Sequence, residues 1–92
     1  MKIKTRKTKL YPGDKTIQIF AERKNGDKLG LMNLTPKYHR VYNGHGNYSK
    51  RMYDNDITNR VFETITEAKD YCKTHLIPKD FTENPKNFSI AL

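Results

Sequence analysis

Residues 16–34 read TIQIFAERKNGDKLGLMNL. Two runs of alternating apolar and polar residues flank Asn25-Gly26, the preferred pair for a two-residue type I′ hairpin turn, because both central residues must take positive φ. Such a turn predicts a register. Lys24 opposes Asp27, Glu22 opposes Leu29, Ala21 opposes Gly30, Phe20 opposes Leu31, Ile19 opposes Met32 and Ile17 opposes Leu34. Side chains alternate along a strand, so Ile17, Ile19, Ala21, Met32 and Leu34 form one core face. The other face then gathers Phe20, Leu29 and Leu31 beside Gln18, Asn33 and Glu22. An apolar cluster on the far side of a sheet needs a cover, from the tail, a partner subunit or a ligand, and homodimerisation through Phe20, Leu29 and Leu31 is a subordinate expectation.

Upstream, residues 2–10 (KIKTRKTKL) are β-branched or basic at nearly every position. They fit an edge strand guarded by lysine, or a basic arm spanning residues 1–10. Tyr11-Pro12-Gly13-Asp14 supplies turn residues before the hairpin. Downstream, Thr35-Pro36 is expected to break the second strand. A further strand pair follows over 38–43 and 48–53, joined by a loop containing Gly44 and Gly46, and a short extended piece covers 59–62. Thr64-Ile65-Thr66-Glu67 has capping-box spacing: the Thr64 hydroxyl accepts from the Glu67 amide while Glu67 reaches back to the Thr64 amide. Ile65, Ala68, Cys72 and Leu76 then form one helical stripe, ended by Pro78. The tail, residues 78–92, keeps Phe81, Phe88, Ile90 and Leu92 and is expected to dock as an extended segment. The fold class is therefore α+β, in one domain: a meandering antiparallel sheet of four or five strands with one C-terminal helix on one face.

The composition is 35% hydrophobic and 30% charged over 92 residues, enough apolar material for one small core. A single cysteine, Cys72, excludes an internal disulfide. No apolar run approaches the length of a membrane span, and the charged amino terminus leads into no hydrophobic segment. A cytoplasmic protein with no membrane partner is the expectation. The net charge of +8 is lopsided: residues 2–51 carry +10 and residues 52–92 carry −2. A half-chain that basic is an electrostatic footprint for a polyanion.

The chemistry concentrates in residues 37–53, KYHRVYNGHGNYSKRMY, which hold four tyrosines, two histidines and no acid. On strands, rings and cations alternate: Tyr38, Arg40 and Tyr42 share one face of the first arm. In the second, Tyr48, Lys50 and Met52 alternate with Ser49, Arg51 and Tyr53. Single-stranded nucleic acid is held by this combination, cations on phosphates and rings on bases. The candidate nucleic-acid-binding residues are Lys2, Lys4, Arg6, Lys7, Lys9, Lys37, Tyr38, Arg40, Tyr42, Tyr48, Lys50, Arg51 and Tyr53. Strand tyrosines half-covering a small core are the competing structural reading.

Other chemistries have weaker support. Asn43-Gly44-His45-Gly46-Asn47 lacks P-loop spacing and precedes no helix, so its glycines read as a bend. Cys72 and His75 are spaced C-x-x-H but have no second ligand pair, so no metal or other cofactor is expected. His39 and His45 could supply the acid and base of a metal-independent ribonuclease, although nothing beyond residue type supports catalysis. Asp54 and Asp56 are too isolated for a magnesium site.

In length and in its wealth of lysine, asparagine and tyrosine, the chain resembles the small proteins that bacteriophages direct against host defence. Anti-CRISPR proteins and RNA-binding phage antitoxins are examples. The resemblance lies in size and composition and carries over no residue roles. It implies a non-enzymatic binder or inhibitor acting in the host cytoplasm. The leading expectation is a non-catalytic nucleic-acid-binding protein, RNA favoured over DNA. The alternative is an inhibitor that binds a host defence protein directly.

Overall fold

The structure, a computed structural model, describes residues 1–81. Four strands form one antiparallel sheet in the order β1-β2-β3-β4: β1 (Lys2–Lys7), β2 (Ile17–Glu22), β3 (Lys28–Tyr42) and β4 (Asn47–Asn55). One helix follows, α1 (Ile65–His75), then a 3₁₀ turn over Lys79–Phe81. The expected α+β meander with a C-terminal helix is the observed fold. No helix is long and apolar enough to cross a membrane among the described residues. The expected docking of Phe88, Ile90 and Leu92 lies outside the described residues.

The central hairpin departs from its predicted turn. The Arg23 amide donates to the Asp27 carbonyl and the Gly26 amide to the Arg23 carbonyl, so three residues rather than two span the bend. Gly26 takes φ +94°, the left-handed position that closes such a loop. The longer loop shifts the near pairs by one: Glu22 opposes Lys28, Ala21 opposes Leu29 and Phe20 opposes Gly30. A bulge then absorbs Leu31, and the expected pairs Ile19–Met32 and Ile17–Leu34 are restored.

That compensation relocates two leucines. Leu31 joins the core with Ile19, Ala21, Met32 and Leu34, and Leu29 packs against it. The expected second apolar face of Phe20, Leu29 and Leu31 therefore does not form. Phe20 alone lies opposite, buried beneath the Arg6 guanidinium at 4.9 Å and the Lys28 ammonium at 5.9 Å from its ring centre. The core is closed by Phe62, Ala68, Cys72 and Phe81, with Ile65, Tyr71 and Leu76 at its margin. Burial pushes the Cys72 thiol up to about 11.

Thr35-Pro36 does not break β3, which runs unbroken for 15 residues. The Tyr53 amide and carbonyl both bond Phe62, so they face away from β3. Pro36, opposite Tyr53, is consequently a non-hydrogen-bonded position whose nitrogen points to the other edge. There β2 has already ended, at Ile17 opposite Leu34, so the missing N–H removes no ladder bond. The Asn59–Phe62 piece shrinks to a single bridge, Phe62 to Tyr53, and the sheet has four strands.

At the helix start Thr64 accepts from the Glu67 amide at 3.1 Å as expected, but Glu67 reaches back to the Glu63 amide, not that of Thr64. Upstream of the hairpin, Asp14 organises the β1–β2 loop. Its carboxylate accepts from the Thr8 hydroxyl (2.6 Å) and from the Leu10 and Thr16 amides (both 2.9 Å), which holds its pKa far below the usual carboxylate range.

Candidate nucleic-acid interface

The two halves of β3 serve different partners. Residues from Lys28 to Leu34 pair with β2, and those from Leu34 to Tyr42 pair with β4. This offset carries the β3–β4 hairpin past the helix and past β2 as a two-stranded arm, and the molecule measures 59 × 33 × 18 Å. The arm tip is a loop from Asn43 to Gly46, with the Asn43 side chain accepting from the His45 amide.

Pairing sorts the arm's side chains onto two faces. Leu34 and Tyr53 face the helix, so Pro36, Tyr38, Arg40 and Tyr42 lie on that face, with Arg51, Ser49 and Asn47 opposite them. Tyr38 and Tyr42 are both 71% exposed, and about 13 Å of strand separates them. Lys15, one alternation before Ile17, extends the same face. With Pro36, Lys37, Tyr38 and Arg51 it lines a shallow depression of about 130 Å³. Among the described residues Lys15, Arg40 and Arg51 make no ion pair or side-chain hydrogen bond, and no carboxylate lies on this face of the arm.

The outer face differs in kind. Asp54 accepts from, or pairs with, His39 Nε2 at 2.7 Å and lies 3.9 Å from Lys37 Nζ. Lys50 Nζ sits 3.3 Å from Glu63. Glu22 is held at 2.5 Å from Lys4 and 3.8 Å from Lys28. The Lys4 hydrogen bond, backed by the charges of Lys4, Lys28 and Lys2, lowers the Glu22 pKa against a partial desolvation. Arg6 Nε donates to Gln18 Oε1 at 2.6 Å. Asp56 accepts from the Asn33 amide and side chain.

The thirteen sequence candidates are thus divided. Tyr38, Arg40, Tyr42 and Arg51 come together on the helix-side face. Tyr53 shares that face but is packed against the core. Lys37, Tyr48 and Lys50 turn to the outer face. Lys2, Lys4 and Arg6 lie there too, at the far edge of the sheet beside Glu22, Phe20 and Gln18. Lys7 opposes Ile17, and Lys9 is in the loop beyond β1 with φ +50°. Lys15 was missed because its place depends on β3 running straight through Pro36. The two histidines are not gathered on the strip: His39 pairs with Asp54 on the outer face, and His45 sits at the arm tip. Cys72 is in the core and His75 stacks on Tyr71 at 4.6 Å. Among the described residues no group of three or more His, Cys, Asp or Glu side chains is placed to hold a metal ion. No protein-family model matches the chain, and no curated protein or solved structure matches it either.

Proposed function

We propose that this protein binds single-stranded nucleic acid, RNA in preference to DNA and without cleaving it, along the helix-side face of the arm. One observation carries the reading: two exposed rings alternate with cations that no carboxylate neutralises, while the outer-face cations Lys4, Lys28, Lys37 and Lys50 are paired with acids. Lys15, Arg40 and Arg51 neutralise phosphates, and Tyr38 and Tyr42 stack on bases, each stack contributing roughly 1–3 kcal/mol. Ser49 and Asn47, the neutral side chains of the strip, offer hydrogen bonds to a ribose 2′-hydroxyl, which favours RNA. A two-stranded ribbon with exposed rings suits unstacked bases better than a closed duplex.

The test is fluorescence anisotropy with labelled single-stranded RNA, the matching DNA and a duplex, at low salt. The Tyr38→Ala/Tyr42→Ala protein is expected to lose most of the affinity, and Tyr48→Ala/Lys50→Ala little. Absence of binding to any of the three, or equal losses in the two variants, would overturn the assignment of the strip. RNA cut in proportion to time would overturn the non-catalytic part. If nuclease-treated host lysate yielded one protein partner and no nucleic acid bound, direct inhibition of that partner would replace this reading.

A further inference from the structure

The arm is a ribbon of two strands beyond the end of β2, and an isolated two-stranded hairpin is marginal in water; three or more strands are needed for independent stability. Its backbone shows where further strands can join. Pairs alternate along an antiparallel ladder, and Pro36–Tyr53 is a non-hydrogen-bonded pair. Tyr38–Arg51, Arg40–Ser49 and Tyr42–Asn47 are therefore non-hydrogen-bonded as well, and their N–H and C=O groups face outward at the two edges. On the β3 edge Pro36 removes one donor. On the β4 edge the Phe62 bridge occupies Tyr53, and Glu63 reaches along it to Lys50. The window left on β4 runs from Asn47 to Arg51, and Ser49 is its centre.

From this geometry we infer that two copies of the chain join antiparallel through β4, about a two-fold axis at Ser49. The occupant follows from the sequence of the window, Asn47-Tyr48-Ser49-Lys50-Arg51. Read against itself in reverse, it sets Asn47 against the partner's Arg51 and Tyr48 against the partner's Lys50. Neither basic residue meets a like charge directly opposite, and the Tyr48–Lys50 pairs place a cation beside a ring on the outer face. The axis is perpendicular to the sheet, so both helix-side faces point the same way. Two arms become a four-stranded platform, β3-β4-β4-β3, carrying four exposed tyrosines on one side. The pairing stands independently of the proposed nucleic-acid binding and is tested without nucleic acid.

Two strands of five residues make a small interface, so the dimer is weak and concentration-dependent. Each chain carries +8, so salt that screens the repulsion strengthens it. Sedimentation of nucleic-acid-free protein at rising concentration is expected to show a monomer–dimer equilibrium that shifts toward dimer in about 1 M salt, where the Debye length is about 3 Å. Ser49→Pro should abolish the dimer while leaving the monomer's helical circular dichroism unchanged, because the lost N–H belongs to no ladder bond within the chain. Ser49→Cys should form an intermolecular disulfide at least an order of magnitude faster than Lys73→Cys on the exposed helix end, since the axis brings the two Cα atoms to about 5.5 Å, within disulfide range. A monomer at millimolar concentration in high salt would overturn the inference. So would a Ser49→Pro protein that dimerises like the parent, or equal cross-linking rates for the two cysteine variants.

Discussion

Tyr38 and Tyr42 illustrate how one residue type serves two ends in this chain. Tyr53 packs against the core, whereas these two stand 71% exposed. Tyr38→Ala is therefore expected to weaken single-stranded RNA binding by about 1–3 kcal/mol, roughly 5- to 150-fold, with a stability change within about 0.5 kcal/mol. Titration and thermal melts of the same sample check both halves. Cys72 is the opposite case, fully buried with Sγ 4.0 Å from Met32 Sδ. With its pKa pushed up to about 11 by burial, it should resist alkylation at pH 8 until the protein opens. Cys72→Ser puts a hydroxyl in the same place and should destabilise by about 1–3 kcal/mol in urea unfolding. Asp14 gives the chain a pH dependence. Its folded pKa lies below its unfolded one, so the stability it contributes is complete above the ordinary aspartate range and is lost as pH falls through the depressed value. Asp14→Asn should lower the melting temperature at neutral pH, and the gap to wild type should narrow steadily below about pH 4.

At the scale of elements, local chemistry is legible where it is self-contained. The Thr64 cap stands at the predicted residue, and Thr64→Ala should cost about 1 kcal/mol by chemical denaturation. The hairpin over 16–34 shows the limit of such reading. Asn25-Gly26 did mark the bend, but Arg23 and Asp27 close a three-residue loop, and a turn longer by one residue inverts the facing of everything near it. The Leu31 bulge returns the register before Met32, so the core residues Ile19, Ala21, Met32 and Leu34 are those the alternation pointed to. Leu29 and Leu31, the two nearest the turn, are where the alternation misled. Pro36 misled in the same way: proline discourages a strand only where its N–H would have been used.

Over the whole molecule, charge and shape act together. The +10 carried by residues 2–51 is not a uniform coat. Carboxylates from elsewhere in the chain neutralise part of it on the outer face, Glu22 beside Lys4 and Lys28, Asp54 beside Lys37 and Glu63 beside Lys50. Along the helix-side face of the arm, Lys15, Arg40 and Arg51 have no acid partner among the described residues. Three phosphate contacts on a single strand predict that log K falls by about 2 per decade of salt, and Lys15→Ala should reduce that slope by about 0.7. Titrations at several salt concentrations measure it. Nucleic-acid binding should thus weaken with salt while self-association strengthens, which separates the two in one set of experiments. The sequence by itself determined the α+β class, the helix with its cap, the core stripe and the location of ring-and-cation chemistry in residues 37–53, because periodicity, capping and composition are local properties. Tertiary structure alone decided which cations are free, which face carries the exposed rings, and that β3 runs on past Pro36 into a projecting arm. Those outcomes depend on bulge register, on which backbone groups face an empty edge, and on acids brought from up to 18 positions away, as Glu22 is to Lys4.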